Sequence, residues 1–294
     1  MKKIFGIFII NVLLLGVFLS FLEFYLYKNH KSNYPEVKYR IEKFPYKDIL
    51  TIYTLRKPEG TNYKKRPLIL AGCSYAYGQG LEENKTLGHK LSELTKRPVY
   101  NYSLPGKGLQ NTLYMLQNKM FSPEIEDPEY VIYVFMQDQI RRMYSTVCLH
   151  DYNGYPEYKL TKDGTLKLTK DYYPIYKQFY TYYFFNNINY IYFYGKAMKH
   201  HSKMVTAYFR AINEEIKKQY PNTKFAILMY DDGSNNYGLD LSALENDGMQ
   251  IIHTDELSDV ILSKDEYHIA KNDFHPNEKA WDALLPKLIE KLSL

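Results

Sequence analysis

The chain has 294 residues, 45% hydrophobic and 24% charged, and its formal net charge of +5 is spread without a long basic block. That suits one large globular domain or two small ones and gives no footprint for nucleic acid. Two cysteines, Cys73 and Cys148, are too few for a disulfide framework or a metal site, and neither a metal nor a cofactor is expected.

Met1-Lys2-Lys3 precedes an uncharged apolar run from Ile4 to Leu22, long enough to cross a bilayer as a helix. It leads into the bulky Phe21-Leu22-Glu23-Phe24-Tyr25, whose rings suit a membrane–water interface, rather than into a small-residue cleavage site. Residues 1–28 read as a retained anchor, with a removed signal as the alternative. Lys2 and Lys3 favour an extracytoplasmic domain, while Lys28, Lys31, Lys38 and Arg40 pull the other way. Residues 29–65, polar with several Pro and Lys, read as a stalk, and 66–294 as one domain.

That domain alternates strand and helix patterns. Pro67–Ala71 is a predicted strand, and Thr86–Lys96 a helix with Leu87, Leu91 and Leu94 at helical spacing. Pro98–Leu104 is strand-like, and Leu109–Phe121 is helical through Leu113, Leu116 and Met120. Tyr130–Met136 is a continuous apolar strand of the kind buried on both faces. From about 144 to 201 the rhythm gives way to Tyr/Phe clusters and an Asp163-Gly164 hairpin turn, an insertion that could cap a site. A helix over Lys203–Tyr220, strands over Lys224–Tyr230 and Gln250–His253, and a last helix over Asn277–Leu292 complete the series. Pro286 is expected to kink or interrupt that helix. Such alternation implies a parallel sheet covered by helices on both faces.

The chemistry gathers at two places. Gly72-Cys73-Ser74-Tyr75-Ala76-Tyr77-Gly78 follows a buried strand and presents a serine at the carboxyl edge of the sheet, where open α/β sheets hold ligands. Asp273-Phe274-His275-Pro276-Asn277 offers a base and a carboxylate just before the last helix. Serine, base and orienting acid are the parts of nucleophilic acyl transfer. Singly, each segment reads as well as a turn or a helix start; their order along the chain joins them. Cys73 reads as a small packing residue, a bridge to Cys148 being the alternative.

These segments resemble the blocks of the SGNH/GDSL hydrolase superfamily. The first block is similar to Gly72–Gly78, with Cys73 where the family often has Asp. The second is similar to Asn101-Tyr102-Ser103-Leu104-Pro105-Gly106-Lys107-Gly108, the third to Gln137-Asp138, and the fifth to Asp273–Asn277. The resemblance implies a flavodoxin-like three-layer α/β/α SGNH fold with a central parallel sheet, preceded here by one N-terminal transmembrane helix. It implies Ser74 as nucleophile, His275 as base and Asp273 as its partner, with an oxyanion hole from the N–H groups of Ser74 and Gly106 and the side chain of Gln137. Two departures stand out. Gln137 replaces the usual asparagine, and Asp273 lies two residues before His275 instead of three, so that its carboxylate either meets the imidazole or turns away.

Asp138 and the pair Arg141-Arg142, Arg141 foremost, are candidate substrate contacts at the sheet edge, a salt bridge to a helix being the alternative for the arginines. His200-His201 lack carboxylates at ligand spacing, and His253 and His268 read as packing or surface. Asp231-Asp232-Gly233, which also follows a strand, reads as a turn, a place lining the cleft being the alternative. The 32 tyrosines suit either a carbohydrate-facing surface or a biased base composition. Together these readings predict a serine esterase acting on an ester, foremost O-acetyl, of an extracytoplasmic glycan or on a small ester. An O-acyltransferase of the same fold and an inactive glycan- or partner-binding protein are the rivals.

Overall fold

The computed structural model describes residues 16–21, 55–56, 63–121, 125–143, 156–170, 201–231 and 238–294. In chain order the strands are β1 (Leu55–Arg56), β2 (Leu68–Gly72), β3 (Val99–Asn101), β4 (Tyr130–Met136), β5 (Glu157–Leu160), β6 (Leu166–Lys170), β7 (Lys224–Tyr230), β8 (Gln250–His253), β9 (His268–Ala270) and β10 (Asp273–Pro276). The helices are α1 (Ser74–Tyr77), α2 (Leu87–Thr95), α3 (Leu109–Gln117), α4 (Gln139–Met143), α5 (His201–Gln219), α6 (Ser242–Asn246) and α7 (Glu278–Leu292).

The main sheet has the order β1-β3-β2-β4-β7-β8. Its last five members are parallel, and β1 pairs antiparallel with β3 at the edge. Taken along the chain, the parallel strands lie 2-1-3-4-5, the flavodoxin-like order. The central strands are apolar on both faces because both faces are covered. Ile69, Val131, Tyr133, Phe135 and Ile227 point to a core shared with α3 and α5. Leu68, Leu70, Ile132, Val134 and Leu228 point to a second core shared with α2 and α7, around the fully buried Trp281. The chain thus leaves β2 toward one face and leaves its two neighbours, β3 and β4, toward the other. That divergence opens a crevice at the carboxyl ends of the strands.

Several elements differ from expectation for local reasons. β3 ends at Asn101 because the Asn101 side chain accepts the Ser103 N–H (3.0 Å), although the Tyr102 and Leu104 N–H groups still bond the β2 carbonyls of Leu70 and Gly72. Leu94 is exposed; Ser92 and Thr95 turn inward instead, their hydroxyls donating to the carbonyls of Arg97 and Leu91. α3 stops at Gln117, where Lys119 takes a left-handed conformation (φ 50°). α7 is not interrupted at Pro286. Pro286 and Asp282, whose carbonyl loses its usual donor, lie on the exposed face, so water can satisfy that carbonyl.

The stretch read as a stalk supplies the edge strand β1. Within the insertion, β5 and β6 form a hairpin turning at Asp163-Gly164. Tyr158 donates its hydroxyl to Gln117 Oε1 (2.7 Å) and packs edge-on to Tyr208, so this hairpin sits on the α3/α5 layer, not over Ser74. Residues 144–155 and 171–200 lie outside the described residues, and so does most of the 1–28 segment. Residues 16–21 are helical and expose Val17, Phe18 and Phe21. Among the described residues no helix is long and apolar enough to cross a membrane.

Candidate active site

β2 ends at Gly72 in a conformation that L side chains rarely adopt (φ 142°), where a Cβ would lie 2.7 Å from the Val134 carbonyl of β4. Cys73 is extended, and Ser74 is already the first residue of α1. Gly78 closes that single turn in the left-handed region (φ 85°), its N–H bonding the Ser74 carbonyl. So abrupt a strand-to-helix turn holds the Ser74 side chain at the sheet edge. As the first helical residue, Ser74 has no carbonyl one turn earlier in the helix to take its own N–H. Cys73 carries a free thiol, fully buried beneath the turn; Cys148 lies outside the described residues.

His275 arrives on a hairpin that the sequence did not announce. β10 pairs antiparallel with β9, with an irregularity between Asp273 and Pro276. Along a strand, residues two apart share a face, so the two-residue spacing turns Asp273 and His275 the same way. His275 Nε2 lies 2.8 Å from Ser74 Oγ, and His275 Nδ1 is hydrogen-bonded to Asp273 Oδ1. The same carboxylate oxygen accepts the His275 backbone N–H (3.1 Å), which pins it against the ring. An ionised carboxylate only accepts, so Nδ1 carries the proton and Nε2 is left to accept from the Ser74 hydroxyl. Asn277 fastens the hairpin: Oδ1 caps α7 at the Ala280 N–H, while Nδ2 donates to the carbonyls of Glu266 (2.7 Å) and His268 (2.8 Å). Tyr75 packs against the His275 ring (5.2 Å) and against Tyr230, adding a buried wall behind the imidazole. Asp273→Asn is expected to lower kcat on a simple ester by about 10²–10⁴-fold with KM little changed, since it removes the acceptor that selects the tautomer. Steady-state kinetics check this.

Gly106 and Gln137 come from the loops on either side. β3 and β4 both border β2, so the turn after Asn101 and the turn after Met136 flank Ser74 at one sheet edge. Gly106 has φ 70°, a left-handed position that favours glycine. Asn101, buried, donates from Nδ2 to the Ala76 carbonyl (2.8 Å), tying the Gly106 loop to α1. Gln137 opens the turn into α4, with the Ile140 N–H bonded to its carbonyl (3.0 Å). A serine after the first parallel strand meets the histidine of Asp-x-His before the last helix, and a glycine loop after the second strand and an amide after the third leave the same sheet edge. This is the arrangement that the resemblance to SGNH hydrolases implies.

No family model and no curated protein sequence matches the chain. Solved structures similar to it include a lipolytic G-D-S-L family protein from Veillonella parvula, with a TM-score of 0.43 and 11% identity over 76% of this chain and 96% of that one. A carbohydrate esterase family 2 enzyme from Corynascus matches with a TM-score of 0.41 and 12% identity, covering 80% of this chain and 68% of that one. An acetyl xylan esterase from Butyrivibrio proteoclasticus matches at 0.40 and 13%, covering 79% and 64%.

Asp138 faces Arg142 across 3.6 Å at the start of α4. Arg141 lies in the same helix, its side chain outside the described residues. His201 begins α5, His253 ends β8 exposed, and His200 and Asp232-Gly233 lie outside the described residues. The Asp231 N–H bonds Thr254 Oγ1 (3.1 Å), a structural contact at the end of β7. His268 is buried on β9, in the hairpin that carries His275, and packs edge-on against Phe274. Among the described residues no group of three or more His, Cys, Asp or Glu could hold a metal ion. Tyr133, unremarked in the sequence, is fully buried beneath the site; burial pushes its phenol well above the usual value, so it stays neutral and donates to Gln139 Oε1 (2.6 Å).

Proposed function

We propose that the protein is a serine esterase whose nucleophile is Ser74. The single observation that carries this is the 2.8 Å contact between Ser74 Oγ and His275 Nε2, with Asp273 bonded to the other ring nitrogen. His275 Nε2 takes the hydroxyl proton as Ser74 Oγ attacks the ester carbonyl. The tetrahedral oxyanion is met by the N–H groups of Ser74 and Gly106 and by the Gln137 amide, donors each worth about 3 kcal/mol where they are well aimed. His275 then protonates the departing alcohol as the C–O bond breaks, leaving an acyl-serine. Water, deprotonated by His275, attacks that ester; the carboxylic acid leaves and Ser74 regains its proton.

The substrate class we infer is an O-acetylated glycan outside the cytoplasm. The apolar run over residues 4–22 and the wealth of tyrosine support it, the first as an export anchor and the second as flat, hydroxyl-bearing contact surface. Acetate release should be measured from an acetylated oligosaccharide and from p-nitrophenyl acetate. The expected outcome is release from both, with the higher kcat/KM on the oligosaccharide and no need for an added glycan acceptor. Turnover that rises only when acceptor hydroxyls are supplied would replace hydrolysis by acyl transfer. Activity confined to the small ester would remove the glycan from the account.

A further inference from the structure

β3 and β4 lie on opposite sides of β2, so no sheet hydrogen bond sets the separation of the two loops that leave them. Yet the proposed oxyanion hole needs Gly106, on one loop, and Gln137, on the other, to converge on a single oxygen. The side chain of Arg142 spans the gap. Arg142 Nη1 donates to the carbonyl of Lys107 (2.9 Å), the residue after Gly106, and Arg142 Nη2 faces the carboxylate of Asp138 (3.6 Å), the residue after Gln137. A third tie comes from α3, where Gln110 Nε2 donates to the Arg142 carbonyl. The guanidinium is mostly buried, with 15% side-chain exposure, and Lys107 and Gln110 are buried as well. A planar fork with several donors can hold two acceptors at a fixed separation, which a single ammonium on a flexible stem does poorly.

We infer that Arg142 is a positioning residue that locks the Gly106 and Gln137 loops to each other across the top of β2 and so sets the width of the oxyanion hole. The inference rests on the serine-esterase reading. It differs from the substrate contact expected for the pair Arg141-Arg142, because Arg142 acts through the two loops and not on the substrate.

The test compares wild type, Arg142→Ala, Arg142→Lys and Ser74→Ala on p-nitrophenyl acetate across pH, with thermal melting alongside. Arg142→Ala is expected to lose about ten- to a hundredfold in kcat, the scale of a misaimed oxyanion donor, with KM within about threefold of wild type. The pH at which the rate falls should not move, since the Ser74–His275 pair is untouched. Arg142→Lys keeps the charge beside Asp138 but not the fork, and should fall between the two; it also decides the matter if the alanine variant does not fold. An active wild type with kcat unchanged in the Arg142 variants would overturn this role and leave the esterase reading standing. A loss accompanied by a shifted pH profile would locate the damage at His275 and overturn it equally. A wild type no more active than Ser74→Ala would overturn the esterase reading and this role together.

Discussion

Ser74→Ala is expected to lower turnover of p-nitrophenyl acetate by about 10⁴-fold or more while leaving the melting temperature near that of wild type. The size follows from what the hydroxyl does. In the proposed mechanism its oxygen forms the bond and its proton passes to His275, so without it only the oxyanion donors and binding remain. Residual catalysis of that kind sits several orders of magnitude below the complete constellation. Stability is spared because the change removes one oxygen from a small buried side chain whose partner, His275, stays partly open to water. Kinetics and thermal melting on the same preparations separate the two effects. A variant as active as wild type would remove Ser74 from the chemistry.

Gly72→Ala is expected to destabilise the domain by about 2–4 kcal/mol, read from urea denaturation. The residue pairs with Val134 at the end of β2, and at φ 142° a Cβ would point sideways into the neighbouring strand, 2.7 Å from the Val134 carbonyl oxygen. That oxygen belongs to a central strand buried on both faces, so it has little freedom to withdraw. The consequence reaches function, because Gly72 sets the direction in which the chain enters the Ser74 turn. Gly164→Ala is the control: it too has positive φ (85°), but a Cβ there meets nothing within 4 Å. Its cost should be about 1 kcal/mol of backbone strain, without loss of activity. Equal effects at the two glycines would show that the close approach of β2 and β4 is not what the glycine at 72 serves.

The sheet was legible because its central strands are buried on both faces and so read as unbroken apolar runs; Tyr130–Met136 and Lys224–Tyr230 have the predicted bounds. The Ser74 turn was legible because glycines bracket it where the backbone needs them. What sequence did not disclose depends on partners distant in the chain. β1 is two residues long, with no period to detect, and exists because β3 offers a free edge. The hairpin β9–β10 was hidden in a polar stretch, and with it the reason that a two-residue Asp-x-His spacing suffices. Had Asp273–Pro276 been read as a strand, the shared face of Asp273 and His275 would have followed. The roles of Asn101, Tyr75 and Arg142 were not legible locally, because each depends on a contact distant in the chain: with Ala76, with His275 and with Lys107. Leu94 misled in the opposite way, since helical spacing alone does not say where the covered face ends.

The central claim is that Ser74 is an activated nucleophile, and the most direct measurement is labelling by a fluorophosphonate followed by peptide mass spectrometry. The expected result is one adduct, on Ser74, absent from Ser74→Ala and much slower to form in His275→Ala. A folded wild type that takes up no label at Ser74, or a Ser74→Ala protein that labels as fast as wild type, would contradict it.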